Sequence, residues 1–243
     1  MKNKIKKIIK KSIRITLSPF VLRDYLAYKK VDNEKRFKIN LKDFYPQIKD
    51  KTVATNFDRH YVYHVAWAVR KVLEIKPEFH TDISSSLYFS STLSASIPVK
   101  FYDYRPAQLK LSNLESSPAD LMRLPFLDNS IKSLSCMHTI EHIGLGRYGD
   151  PIDPNGDLKA IGELKRVLAS EGSLFFVVPL GQPKIEFNAH RIYSYKMVVD
   201  LFSDLELKEF YFIPESGDPV VNEKEEVVNK SNYACGCFWF IKK

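Results

Sequence analysis

Ile131-Lys-Ser-Leu-Ser-Cys-Met-His138-Thr-Ile-Glu141-His142-Ile-Gly-Leu-Gly-Arg147-Tyr-Gly-Asp150-Pro-Ile-Asp153-Pro-Asn-Gly156 joins an apolar strand signal, Ile131 to Met137, to a long polar loop. Behind the loop, Leu158, Ile161, Leu164, Val167 and Leu168 recur at helical spacing, and Glu171-Gly172 predicts the stop. Ser173 to Pro179 is then a nearly continuous apolar run, the pattern of a strand covered on both faces of a parallel sheet. The loop carries two imidazoles, three carboxylates and a guanidinium, together with four of the chain's nine glycines. Its plain reading is a solvated turn with satisfied side chains. The competing reading is a site, because loops on a rigid scaffold concentrate binding and catalysis.

Working outward, Asp58 to Lys76 reads as a helix with Tyr61, Val65, Ala68, Val69 and Val72 on one side and Pro77 ending it. Phe79 to Ile83 reads as a strand, followed by a serine-rich loop and a weak helix near Leu87 to Leu93. Val99 to Tyr104 and Asn113 to Ala119 read as further strands. Past Pro179, a helix is expected over Ser194 to Phe202, a strand over Glu206 to Ile213, a charged loop through Lys230, and a last strand over Cys235 to Ile241. Strands alternating with helices predict an α/β fold, a doubly wound, mostly parallel seven-stranded sheet. The last two strands, joined by a loop without a helix, are expected to pair antiparallel.

With 243 residues and 44% hydrophobic content the chain can bury one substantial core. Residues 1–30 hold eight lysines, two arginines and one acid, a net charge of +9 against +8 for the whole chain, so the remainder is close to neutral. That distribution argues against nucleic-acid binding by the main domain, which would need basic excess on its own face. Ile5, Ile8, Ile9, Ile13, Leu17, Phe20 and Val21 fall near a 3.6-residue period, and Ser18-Pro19 looks like the start of a second helix. Residues 1–30 are thus expected to form a basic amphipathic helical arm, able to lie on an anionic membrane surface or to pack on its own domain. Residues 31–57 form a linker and accessory segment, and residues 58–243 the α/β domain. No apolar run reaches the roughly 20 residues of a membrane span, and lysines interrupt any signal-peptide core, so a cytoplasmic location is expected, with the arm able to make it peripheral to the inner membrane. Cys136, Cys235 and Cys237 form neither a disulfide set nor a repeated zinc pair and read as buried thiols, the last two on one face of the final strand.

In open parallel sheets ligands bind beyond the carboxyl ends of the strands. The first exit is Asp82-Ile-Ser84-Ser-Ser86, an acid followed by small residues that let backbone approach a ligand. Asp103 ends the second strand, where a carboxylate can hold a ribose diol. The third exit is Ala119-Asp120-Leu121 and the fourth is Met137-His138, running into Glu141-His142.

The order Asp82, Asp103, Asp120-Leu121, Leu124-Pro125-Phe126 and Glu141-His142 resembles the class I S-adenosylmethionine-dependent methyltransferases, over roughly residues 60 to 243. His138 to Gly156 and Glu186-Phe-Asn188-Ala-His190-Arg191 more narrowly resemble a poorly characterised methyltransferase-like family found in bacterial surface-polysaccharide and O-antigen contexts. The resemblance implies S-adenosylmethionine as cofactor, with Asp82 ordering the first loop, Asp103 on the ribose and Asp120 with Leu121 facing the adenine. Ser84, Ser86 and His138 complete the implied cofactor set. The chain departs from the family where an acid-x-Gly-x-Gly-x-Gly loop is usual, since it has Asp82-Ile-Ser-Ser-Ser-Leu-Tyr and no glycine before Gly144. A serine in a left-handed position there costs about 1 kcal/mol.

His138-Thr-Ile-Glu141-His142 also spells H-x-x-E-H, a zinc-peptidase arrangement, but that chemistry needs one helix face, and these residues follow a strand and run into glycines. Hydroxyl methylation needs a proton acceptor, which suits His142 as general base oriented by Glu141, with a divalent metal bridging the two as an alternative. Arg147, Asp150, Asp153, Asn188, His190 and Arg191 are the expected substrate-binding set, since carboxylates and amides suit sugar hydroxyls and arginines suit phosphates. The same side chains could instead form an internal Arg–Asp network fixing two loops. The expected activity is methyl transfer to a sugar hydroxyl on a sugar-containing small molecule or lipid-linked substrate. The alternatives are changed transferase chemistry on the same fold, or a non-catalytic scaffold.

Overall fold

The computed structural model describes residues 19–48 and 50–243, and the chain divides into two compact units, Met1–Phe57 and Asp58–Lys243. The basic stretch expected to be helical over Ile5 to Leu17 lies outside the described residues. In the first unit, Pro19 opens helix α1 (Pro19–Val31), where its fixed φ suits the first turn. This helix buries none of its residues, and it leaves Phe20, Leu26 and Val31 exposed beside Arg23, Lys29 and Lys30. Tyr25 sets its ring edge-on against the buried Phe44, with centroids 5.7 Å apart.

The second unit begins with α2 (Arg59–Ile75). Asp58 caps it by accepting from the Tyr61 N–H at 3.1 Å, a contact worth about 1 kcal/mol. Lys76 ends the helix in the left-handed region, just ahead of Pro77. Then follow β1 (His80–Ile83), α3 (Leu87–Ser94), β2 (Val99–Asp103), β3 (Leu114–Pro118), β4 (Ile131–Met137), α4 (Gly156–Val167) and β5 (Leu168–Leu180). A small hairpin, β6 (Lys184–Glu186) and β7 (His190–Ile192), leads to α5 (Tyr195–Leu201), β8 (Leu205–Ile213), β9 (Val220–Val221), α6 (Glu225–Val228) and β10 (Ala234–Lys242). The main sheet runs β3-β2-β1-β4-β5-β10-β8-β9. Its first five strands are parallel, whereas β10 is antiparallel to both β5 and β8. The seven expected strands are therefore present, with a two-residue edge strand added.

Alternation along β10 divides the core. Cys235, Cys237 and Trp239 pack with Phe175, Val177, Trp67, Val72 and Phe89 on the face covered by α2 and α3. Phe238 and Phe240 pack with Phe176, Phe202, Phe210 and Leu164 on the face covered by α4 and α5. Each such buried side chain contributes about 1.5–3 kcal/mol, so the sheet is a stiff platform for the loops at its ends.

Two parts of the chain differ from the sequence expectation. The stretch between β5 and α5 forms the β6/β7 hairpin, and the charged loop before β10 contains β9 and α6. These elements run only two to four residues, too short to display a period of 2 or 3.6.

Candidate functional site

At the carboxyl ends of β1 and β4 the chain makes the same turn twice. Ser84 (φ 59°) and His138 (φ 55°) each follow a strand in left-handed geometry. Each donates its N–H to the neighbouring strand, Ser84 to the Tyr102 carbonyl at 2.7 Å and His138 to the Val177 carbonyl at 2.8 Å. Thr139 Oγ1 donates to the Ser84 carbonyl at 2.8 Å, which ties the turns together. Between and above them lies a cavity of about 420 Å³ lined by Ser84 to Ser86, His138, Glu141, His142, Arg147, Tyr148, His190, and by His60, Tyr61 and Tyr233.

The first turn is held by hydroxyls. Asp82, fully buried, accepts from Ser135 Oγ at 2.5 Å and from Ser90 Oγ. Burial raises its carboxyl to about 6, against the pull of those serines. Ser85 Oγ accepts the Met137 N–H at 3.0 Å, and Ser86 caps α3 through the Phe89 N–H. Asp82 therefore lies beneath the cavity rather than on its surface, and Ser84 and Ser86 lie on its wall. Asp103 accepts the Arg105 N–H through Oδ1, and Asp120 accepts the Met122 N–H through Oδ1. Both stand at neighbouring strand exits outside this cavity. Leu121 is 4% exposed and belongs to the apolar core, so its side chain supports the turn and presents no binding surface.

The second turn carries the titratable groups. His142 Nδ1 donates to the Ala189 carbonyl at 2.7 Å, which fixes the tautomer and leaves Nε2 as an acceptor. Arg147 Nη1 sits 3.1 and 3.4 Å from the two ring nitrogens and also donates to the Ala189 carbonyl at 2.9 Å. Burial foremost, with Arg147 adding to it, lowers the His142 pKa below the usual imidazole value despite Glu141 nearby. His142 is therefore neutral at pH 7.

Glu141 does not orient His142, contrary to the sequence expectation. Its Oε1 lies 2.9 Å from His138 Nδ1 and 3.9 Å from His142 Nε2, and the Ala189 carbonyl does the orienting. His138 Nε2 in turn meets Cys235 Sγ at 3.4 Å. Its ring stacks with Tyr61 and His60, with centroids 5.5 and 5.6 Å apart. Glu141 Oε2 and His64 Nε2 are buried with no hydrogen-bond partner among the described residues.

Three expected substrate ligands build the loop instead. Asp150 accepts from the N–H groups of Gly144, Gly146 and Tyr148. Asp153 accepts from Asn155 N–H at 2.9 Å and from Lys159 Nζ at 2.6 Å. Arg191, 6% exposed, donates to the Ile143 carbonyl at 2.7 Å and to the Pro154 carbonyl at 3.3 Å, and lies 3.6 Å from Asp157. Gly144 (φ 78°) is required here, because a Cβ would stand 2.0 Å from the Asp153 carbonyl oxygen. Asn188 is exposed and outside the cavity, whereas Arg147 and His190 line it.

Sequence reasoning missed His60, Tyr61, Tyr233 and Cys235 as neighbours of the site. They come from the first turn of α2 and from the start of β10, far from the loop in sequence, and only the topology brings them together. The available signal was Cys235 on a strand bordering β5.

Comparison with known proteins fits this geometry. A family model described as "Caenorhabditis protein of unknown function, DUF268" matches residues 125–232. No curated protein matches the chain in sequence. Among solved structures, N-methyltransferase NodS from Bradyrhizobium japonicum WM9, in complex with S-adenosyl-L-homocysteine, is similar with a TM-score of 0.53 at 12% identity, over 76% of this chain and 88% of that one. The YcgJ protein from Bacillus subtilis is similar with a TM-score of 0.52 at 11% identity, over 75% of this chain and 99% of that one. The second unit thus has the class I S-adenosylmethionine methyltransferase-like fold.

Proposed function

We propose that this chain is an S-adenosylmethionine-dependent methyltransferase that acts on a sugar hydroxyl during surface-polysaccharide assembly. The observation that carries the reading is His142, a neutral imidazole whose Nδ1 is committed to the Ala189 carbonyl and whose Nε2 is left as the acceptor, on the wall of a polar cavity it shares with the first strand exit. Donor-binding residues fit in part. Asp103 retains Oδ2 for a ribose diol, Asp120 marks the adenine side, and Ser84 to Ser86 approach the amino-acid end through backbone and hydroxyls. When bound, S-adenosylmethionine supplies an electrophilic methyl group.

The chain's own residues do the rest. His142 Nε2 takes the proton of the acceptor hydroxyl, a step that general-base residues accelerate by about 10²–10⁴-fold. Arg147, charged beside it, disfavours the protonated imidazole before reaction and suits an acidic or phosphate-bearing acceptor. Tyr61, Tyr148 and Tyr233 offer ring faces to the apolar side of a sugar, and His190 adds a polar edge. For the first unit we propose a peripheral role at the inner membrane. The exposed Phe20, Leu26 and Val31 of α1, beside basic residues, support it. Among the described residues no helix is long and apolar enough to cross a membrane.

Methyl-labelled S-adenosylmethionine, offered with nucleotide-linked and lipid-linked sugars, should place label in a sugar ether. Label on an amine or carboxyl group would overturn the acceptor assignment. A second reading, the same fold with a different donor, is favoured by the hydroxyl-filled first turn. It expects a nucleotide sugar to raise the unfolding temperature while S-adenosylhomocysteine does not.

A further inference from the structure

Five of the chain's six histidines gather at this end of the sheet, and the proton transfer assigned to His142 leaves one group of them without a role. His60 comes from the first turn of α2, His138 from the β4 exit and Cys235 from the start of β10. Each offers one ligand-type atom, and the three atoms lie within 4.8 Å of one another. We propose that His60, His138 and Cys235 bind a single zinc-type transition-metal ion, with a further coordination position turned toward the cavity.

The geometry supports this on three counts. A tetrahedral zinc with Zn–N of about 2.05 Å and Zn–S of about 2.3 Å separates those ligand atoms by roughly 3.5 Å, and His138 Nε2 and Cys235 Sγ stand 3.4 Å apart. Glu141 Oε1, 2.9 Å from His138 Nδ1, holds that nitrogen as the protonated one and leaves Nε2 to coordinate, the carboxylate–histidine pairing common around metals. The buried, unpartnered Glu141 Oε2 and His64 Nε2 beside the cluster mark polar capacity that the protein alone leaves unfilled. A two-nitrogen, one-sulfur donor set selects zinc-like ions over magnesium or calcium, which take oxygen ligands.

The same atoms could be read as a Cys–His–Glu nucleophile row. Against that, Cys235 has no exposed surface, and a nucleophile needs access. His60, whose ligand atom lies within 4.8 Å of both others, would also have no part in such a row.

The site is read without turnover, so its test is separate from that of methyl transfer. The full chain, stripped with a chelator and dialysed, is titrated with zinc against a chromophoric competitor, and separately with cobalt. One equivalent should bind, cobalt should give a near-ultraviolet thiolate charge-transfer band, and zinc should raise the unfolding temperature. Glu141→Gln should weaken zinc binding by about 10–100-fold, and loss of a ligand should weaken it more. Because Cys235→Ser sits in the core, the key variant is His60→Ala at the partly exposed ligand, with its metal-free unfolding midpoint matched to the parent. Loss of both the cobalt band and the zinc-induced shift in His60→Ala is the expected result. Unchanged zinc affinity in His60→Ala, or no zinc binding by the folded parent, would overturn the proposal and leave Cys235 and His138 as a hydrogen-bonded pair.

Discussion

The exits of β1 and β4 are built on one backbone plan and equipped for different work. Both open with a non-glycine residue in left-handed geometry, both donate that residue's N–H to the adjacent strand, and Thr139 joins them. At the β1 exit the side chains are serines, and their hydroxyls are spent on Asp82, on Tyr102 and on the α3 cap. At the β4 exit they are an imidazole, a carboxylate and a second imidazole, and all three residues line the cavity. A left-handed residue other than glycine costs roughly 1 kcal/mol, and each of the two exits accepts that strain. The contrast separates shape from chemistry: the first exit forms a floor, and the second carries reactive groups.

Substitutions can break that contrast, and the largest effect should fall on the reactive exit. His142→Ala should lower methyl transfer by about 10²–10⁴-fold with little change in stability, as measured by steady-state kinetics and thermal unfolding. The sign of the pH dependence follows from the lowered His142 pKa. The base form persists below pH 6.5, so the acid limb of kcat/KM should lie below that value and disappear in His142→Ala. A limb above pH 6.5 would assign the proton to another group.

Next in size is Arg191→Ala, which leaves buried Asp157 without its ion pair and two carbonyls without a donor. It should cost about 3–5 kcal/mol in denaturant unfolding. A loss below 1 kcal/mol would mean that Arg191 does not hold the loop. Smallest is Ser85→Ala at the β1 exit, which leaves the buried Met137 N–H unpaired and should cost about 1–3 kcal/mol. If it abolished activity while stability held, the first exit would be more than a floor.

The sheet was legible in the sequence because its strands are long enough to show their pattern, from the apolar run Ser173 to Pro179 to the alternation that places Cys235 and Cys237 on one face. The hairpin at Lys184 to Ile192 was not, since three-residue strands carry no period. Within the site, the residue types near Glu141 and His142 announced chemistry, but pairings were hidden. Whether Glu141 serves His142 or His138 depends on a 3.9 Å against a 2.9 Å separation, which spacing cannot set. Asp150, Asp153 and Arg191 looked like ligands because loop-building and ligand-binding use the same polar side chains. His60 and Cys235 were invisible as partners because they sit 78 and 97 residues from His138 in sequence.

If the cavity between the two exits works with a methyl donor bound beside it, the product of that donor should bind the full chain. Calorimetric titration of the full chain with S-adenosylhomocysteine tests this most directly. One equivalent should bind, with affinity retained in His142→Ala and weakened in Asp103→Ala. No heat of binding at high concentrations of folded protein and ligand, or binding indifferent to Asp103, would contradict it.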